Sequence, residues 1–221
     1  MASPNHPYLD LVLARASAPA RDWLLARLGT LTEENFALLY SGAGRRLGAT
    51  LVEPNEAEAA RLAAAGLMVP ANWPLNAVCR AALLVILCER LDPASRLRVA
   101  QAVFKTGDNE ERAALLEALS LLPEPESFVS LAIDACRTHV QSVFEAIACE
   151  NPYPARHFPD HNFNQMVLKS FFTGVAIRRI EGLAARRSPE LRRMAEAYAS
   201  ERRAAGRSVP ADLSLVTQTP E

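Results

Sequence analysis

Apolar residues recur at helical spacing along most of the chain. Leu24, Leu25 and Leu28 repeat at three- and four-residue intervals, as do Phe36, Leu39 and Tyr40. The pattern predicts helices over about 7–16, 20–29, 33–47 and 55–66. The stretch "GLMVPANWP" at 66–74 breaks it, with Gly66, Pro70 and Pro74 as punctuation. A helix over about 75–91 follows, and its centre "AALLVILC" is apolar on every side, which implies burial among other helices. Start signals then come at short intervals. Asp92 caps with Pro93 at the first helical position, Asp108 and Glu111 have capping-box spacing, Pro125 opens a helix, and Thr138 and Gln141 have the spacing of another box. Links at about 106–108, 122–124 and 136–138 are short enough to make neighbouring helices antiparallel. Ser188 and Pro189 open a last helix that runs to about Gly206. The pattern predicts an all-α fold of irregular stacked helical hairpins, similar to an α-solenoid of the HEAT kind. An N-terminal helical region at 1–70 packs on a hairpin core at 75–206, and 207–221 form an extended tail.

Composition narrows the functional classes. In 221 residues, 50% are apolar and the net charge is −1, so no global field draws the chain to nucleic acid or membrane. Aromatics are 6%, too few for a base-stacking platform. The four cysteines, Cys79, Cys88, Cys136 and Cys149, lie in apolar helical runs and form no CxxC pair, so they read as buried thiols in a reducing cytoplasm. No basic leader precedes an apolar run near the start, so no signal peptide is expected. The apolar run at 81–88 is too short to span a bilayer. Of 24 basic residues only Lys105 and Lys169 are lysine, so a lysine here is a candidate for a role that needs an amine.

The chemistry concentrates in "CENPYPARHFPDHNFNQMVLK", 149–169. Glu150 falls in the last turn of a helix over about 139–150, where the dipole disfavours a carboxylate, so it needs a cation; Arg156, His157 and Lys169 are the candidates. Prolines follow Asn151, Tyr153 and Phe158, which predicts a stiff, largely extended connection carrying Tyr153, Arg156, His157 and Phe158. Asp160 is a sensible N-cap for a helix over about 161–173 whose buried face is Phe163, Val167 and Phe171. His161, Gln165 and Lys169 form a polar ridge at i, i+4 and i+8, with Asn164 beside it and Phe172 on the same side. Such a ridge beside an aromatic suits an anion or carbonyl ligand. The plainer readings are a crossover stitched to the core and a solvated helix face. The candidate ligand-binding set is therefore Glu150, Tyr153, Arg156, His157, Phe158, His161, Asn164, Gln165, Lys169 and Phe172. His157, Asp160 and His161, with His139 and Glu145 upstream, match no zinc spacing, and no Gly-rich phosphate loop is present; neither metal nor cofactor is expected. Residues 178–207 hold nine Arg and four Glu, a locally basic region that reads first as a solvated face and second as a surface for an anionic partner or lipid headgroups.

The run from "GDNEERAALLEALSLLPEPESFVSLAIDACRTHVQSVFEAIACENPYPARHFPDHNFNQMVLKSFFTG" through "RIEGL", "SPELRRMAEAYASERRAAGR" and "VPADL" resembles the EboA family over about 105–215. The segments "CENPYPARHFP" and "FNQMVLK" make the likeness specific, because they are not generic helix sequence. The resemblance implies a bacterial cytoplasmic protein encoded in a small secondary-metabolite gene cluster, the ebo cluster. Its neighbours there resemble a UbiA-type prenyltransferase, a TatD-like hydrolase, a dehydroquinate-synthase-like cyclase and a sugar-isomerase-like barrel. Such clusters make or move a small molecule, including pigment precursors exported in cyanobacteria. The resemblance carries over no catalytic residue. The resulting expectation is an accessory protein that binds a small-molecule pathway intermediate or a partner protein of the cluster in a groove at 139–172. The alternatives are an enzyme using His157 or His161 as acid and base, and a peripheral membrane adaptor working through the basic C-terminal helices. Nucleic acid is not expected as a partner.

Overall fold

The computed structural model describes residues 6–67 and 73–218, and the centre of the 66–74 break lies outside them. Among these residues the fold is all-α. The helices are α1 (Pro7–Arg15), α2 (Ala18–Leu28), α3 (Glu33–Leu47), α4 (Glu56–Ala64), α5 (Leu75–Cys88), α6 (Pro93–Thr106) and α7 (Asn109–Ala118). After two 3-10 turns they continue as α8 (Val129–Ala135), α9 (Gln141–Ala148), α10 (Tyr153–His157), α11 (Asp160–Thr173), α12 (Pro189–Ala204) and α13 (Ser214–Thr217). An isolated antiparallel bridge joins Leu51 and Pro74. The chain forms two compact units, the first ending at Phe128 and the second starting at Val129.

The first unit is built around α5, which packs on α1, α3 and α7. All fourteen of its residues are buried, as a helix without a polar face requires. Although it follows the 66–74 break, α5 belongs to the same compact unit as α1 and α3. Arg80, almost fully buried on α5, donates from Nε to the Tyr40 carbonyl at 3.3 Å. Its guanidinium lies 5.8 Å from the Tyr40 ring and reaches the exposed Glu110 carboxylate at 3.5 Å. Gly44 makes room for it, since a Cβ there would stand 2.6 Å from Arg80 Nη2. The Tyr40 hydroxyl donates to the Glu111 carbonyl at 2.9 Å, which ties α3 to α7.

Local caps set the helix starts. Asp92 accepts the Ser95 N–H at 3.0 Å, and Ser188 accepts the Leu191 N–H at 3.1 Å. Asp108 accepts the Glu111 N–H at 2.8 Å while Glu111 accepts the Asp108 N–H at 3.1 Å, a reciprocal box. Asp108→Ala is expected to cost about 1 kcal/mol and lower the urea midpoint of the first unit, and an unchanged midpoint would remove this cap from the account. The box expected at Thr138 and Gln141 does not form. Val140 is the N-cap of α9, the Thr138 hydroxyl accepts the Val140 N–H at 3.1 Å, and the Gln141 amide donates to Glu145 at 2.7 Å. The chain closes a tight side-chain turn at Thr138 before the helix begins.

In the second unit α11 packs on α9 and α12 around Phe144, Ile147, Phe163, Val167 and Leu191. Residues after 207 differ from an extended tail. Helix α13 lies against α12, and a 3-10 turn at Ala211–Leu213 lies against α13 and the turn at Ile177–Arg179, with Leu213 and Val216 buried. Asp212 Oδ2 fixes them by accepting the Ile177 N–H at 2.7 Å. Two apolar residues three apart are enough to dock one turn, although the segment is too short to show periodicity. The four cysteines are free thiols. Burial pushes Cys79, Cys88 and Cys136 up to about 12 and Cys149 to about 11.

Candidate functional site

The proline-rich stretch between α9 and α11 is built from backbone satisfaction. Asn151 Nδ2 donates to the Ala146 carbonyl at 2.8 Å, and its Oδ1 accepts the Tyr153 N–H at 3.0 Å. One buried amide thus serves the end of α9 and the start of the next turn. Pro152 precedes the helix and Pro154 sits in its first turn, where an N–H would lack a partner anyway, so 153–157 form the short helix α10 in place of an extended run. Tyr153 is fully buried, with its ring 4.7 Å from that of His157 and 6.3 Å from that of Phe158, the latter edge-on.

Two arginines from beyond α11 close this stretch. Arg179 Nε and Nη2 donate to the two Glu150 oxygens at 2.8 and 2.9 Å, and its Nη1 donates to Glu145 at 2.5 Å. The Glu150 N–H donates to the Arg179 carbonyl at 2.8 Å. Glu150 has φ +47, a left-handed conformation that ends α9 and that this bidentate pair holds in place. The same guanidinium draws Glu145 below the usual carboxylate range, and the two carboxylates raise Arg179. The cation that Glu150 needs is therefore Arg179; Arg156, His157 and Lys169 do not supply it. Arg186 donates to the carbonyls of Ala155 at 2.6 Å, Phe158 at 2.8 Å and Pro154 at 3.5 Å, and to Asp160 at 2.9 Å. Its guanidinium stacks 4.7 Å from the Phe163 ring. Asp160 is the first residue of α11, after Pro159, and so does not act as the N-cap.

Lys169 turns away from the ridge. Its ammonium donates to the Cys136 carbonyl at 2.6 Å and to the Thr138 carbonyl, and lies 4.7 Å from the Phe144 ring. Burial lowers its pKa. It satisfies carbonyls at the C-terminal end of α8, where a cation is favoured. Of the other ridge members His161 and Gln165 are exposed, Arg156 is exposed, and His157 is half-buried against Tyr153. Phe158 and Asn164 are buried. The ten predicted residues are thus divided between core, surface and helix ends. Phe172 is different, because it is an aromatic left 68% exposed. It stands edge-on to Tyr198, centroids 4.9 Å apart, while Tyr198 stacks on Phe171 and donates its hydroxyl to the Phe171 carbonyl at 3.0 Å. Arg202 lies 5.9 Å from the Tyr198 ring and donates from Nε to the Ser208 carbonyl at 2.8 Å. Gly206, at φ +65, lets the Arg207 N–H return to the Arg202 carbonyl at 2.8 Å. Phe172, Tyr198, Arg202 and Arg207, with Glu201 and Ala205, line a cleft of about 270 Å³.

Sequence reasoning missed Asn151, Arg179 and Arg186 as the residues that organise the stretch. The arginine pairs at 178/179 and 186/187 were the available signal, but a pair shows no target. It also missed Tyr198 and Arg202 as companions of Phe172. Among the described residues no three His, Cys, Asp or Glu side chains converge as a metal-binding group, and no helix is long and apolar enough to cross a membrane.

No curated protein and no solved structure matches the chain. The model of the family described as metabolite traffic protein EboA matches residues 16–217, which takes in nearly all of both compact units. The protein belongs to the EboA family.

Proposed function

We propose that the protein is a non-catalytic accessory factor that binds a small-molecule intermediate in the Phe172–Tyr198 cleft during metabolite traffic. The observation that carries this reading is the aromatic pair itself. A large ring left exposed on a fixed aromatic base, with two arginines on the rim, suits a ligand with an apolar body and an anionic group. The cleft narrows the expected groove at 139–172 to its last residue and extends it onto α12. The description of the family, metabolite traffic, supports the same class of role. Four unpaired thiols agree with a cytoplasmic setting, and other proteins of the same gene cluster are the partners to which an intermediate would be handed.

Acid–base catalysis by His157 or His161 finds less support. No hydrogen bond joins either ring to a carboxylate among the described residues. His157 packs on Tyr153, and exposed His161 acts on Glu190 only through space, so neither has the hydrogen-bonded partner that orients a general base. The membrane-adaptor reading loses four of the nine arginines in 178–207 to ion pairs. Arg179, Arg186, Arg192 and Arg193 each have a carboxylate partner within 3 Å.

The test is untargeted mass spectrometry of metabolites retained by protein purified from its own cells. Phe172→Ala is expected to reduce the retained compound about tenfold at equal protein level, as loss of a central aromatic anchor does. Identical retained compounds in the wild type and the variant would sink this assignment, as would their absence from the wild type.

A further inference from the structure

The first unit carries a second cavity, unrelated to the Phe172 cleft. It is an open groove of about 610 Å³ between the α1–α2 link, the end of α3 and residues 50–53. Its floor is apolar, formed by Ala16, Leu47, Val52 and Leu75, all buried, and Leu51 stands at its edge 55% exposed. Two arginines reach it, and their charges differ in availability. Arg15 is neutralised, because Nη1 and Nη2 donate to the two Glu58 oxygens at 2.9 and 2.6 Å. The pair holds Glu58 down to about 2. Arg46 has no carboxylate partner among the described residues. Its guanidinium lies 5.0 Å from the Trp23 ring, and Trp23 in turn lies flush on Gly42, where a Cβ would come within 2.6 Å of Cζ2. Stacking fixes the position of a planar cation and leaves its N–H edge free to bind. The hydroxyls of Ser17 and Thr50 also line the cavity and donate to no protein acceptor among the described residues.

We propose that this cavity binds a small organic carboxylate, with its apolar body on the Leu47–Val52–Leu75 floor and its carboxylate on Arg46, Ser17 and Thr50. Arg46, held by stacking on Trp23, selects an anionic group at its own end of the cavity, although the lining as a whole is near neutral because Glu53 also stands on it. The floor selects an acid with a hydrocarbon body over inorganic phosphate. Glu53, the other ionisable group on the rim, opposes the ligand; its backbone carbonyl is occupied by Arg15 at 2.9 Å and its carboxylate is exposed.

The test is titration calorimetry of the full chain with octanoate, octanamide and inorganic phosphate. Octanoate is expected to bind, and octanamide and phosphate each to bind about tenfold more weakly or worse, because each lacks one half of the recognition. Arg46 is exposed, so Arg46→Gln leaves the fold intact, and it is expected to weaken octanoate about tenfold while leaving octanamide unchanged. Leu51→Ser is expected to weaken octanoate severalfold, and Glu53→Gln to tighten it. Equal affinity for octanoate and octanamide would reduce the cavity to an apolar groove. Phosphate as tight as octanoate would reduce it to a bare charge. Wild-type affinity in Arg46→Gln, or absence of octanoate binding at millimolar concentration, overturns the proposal. None of these readouts involves Phe172, so the two sites fail independently.

Discussion

Arg186→Met is expected to lower the stability of the second unit by about 3 kcal/mol, because the backbone carbonyls that Arg186 serves lose their donor. The guanidinium reaches the carbonyls of Ala155 and Phe158 in good geometry and that of Pro154 more distantly. The last carbonyls of a helix have no intrahelical partner, and α10 is so short that it cannot supply its own. Asp160 adds little, since that carboxylate is 86% exposed and its ion pair is screened. Methionine keeps the aliphatic stem, so the loss reports the guanidinium alone, its hydrogen bonds together with its contact on Phe163. Arg186→Lys is expected to recover less than half, because a point donor cannot serve carbonyls on both sides of the fork. Urea denaturation measures the change, and hydrogen exchange should place it at the amides between α10 and α11. A wild-type midpoint in Arg186→Met would show that water replaces the guanidinium without cost.

Lys169→Met is expected to destabilise the same unit by about 2 kcal/mol, within the range for losing a charged hydrogen bond in a half-buried place. The ammonium bridges the Cys136 and Thr138 carbonyls at the turn after α8 and lies over Phe144, so it ties α11 to the α8–α9 link. Lys169→Arg is expected to cost about half as much, since a planar fork does not fit between two converging carbonyls as a compact ammonium does. Lys105→Arg, on an exposed residue in the last turn of α6, is the control and should change nothing. The outcome that reinstates Lys169 as a ligand residue is clear. Both Lys169 variants would keep the wild-type midpoint while losing the retained metabolite.

Features that depend on neighbours in sequence were legible. Asp92, Asp108 and Ser188 cap because each carries an acceptor oxygen a few residues before an apolar run. The burial of α5 follows from a run without a polar face. Features that depend on distant partners were not. Periodicity places Glu150 at a helix end in need of a cation, but whether that cation comes from a residue six or twenty-nine positions away depends on how the chain returns. The rarity of lysine pointed to a task for the Lys169 amine, and the amine has one, but its acceptors are main-chain carbonyls, which have no signature in a sequence. The same holds for Arg186. An arginine that serves carbonyls and an arginine on a solvated face look alike until the backbone is traced. Phe172 was legible as an aromatic on a polar face, whereas Tyr198, twenty-six residues later on another helix, was not.

Three buried thiols and the half-buried Cys136 give the molecule its own opening reporters. Cys79 and Cys88 lie in the first unit, Cys136 and Cys149 in the second. With thiols held at about 11 to 12, a neutral-pH alkylating reagent meets almost no thiolate in the closed protein and meets ordinary cysteines once a unit opens. Each unit therefore carries two thiols of its own, and the mass of each labelled peptide records the lifetime of that unit alone. The loosening caused by Arg186→Met or Lys169→Met should then be written on Cys136 and Cys149 while Cys79 and Cys88 remain unlabelled.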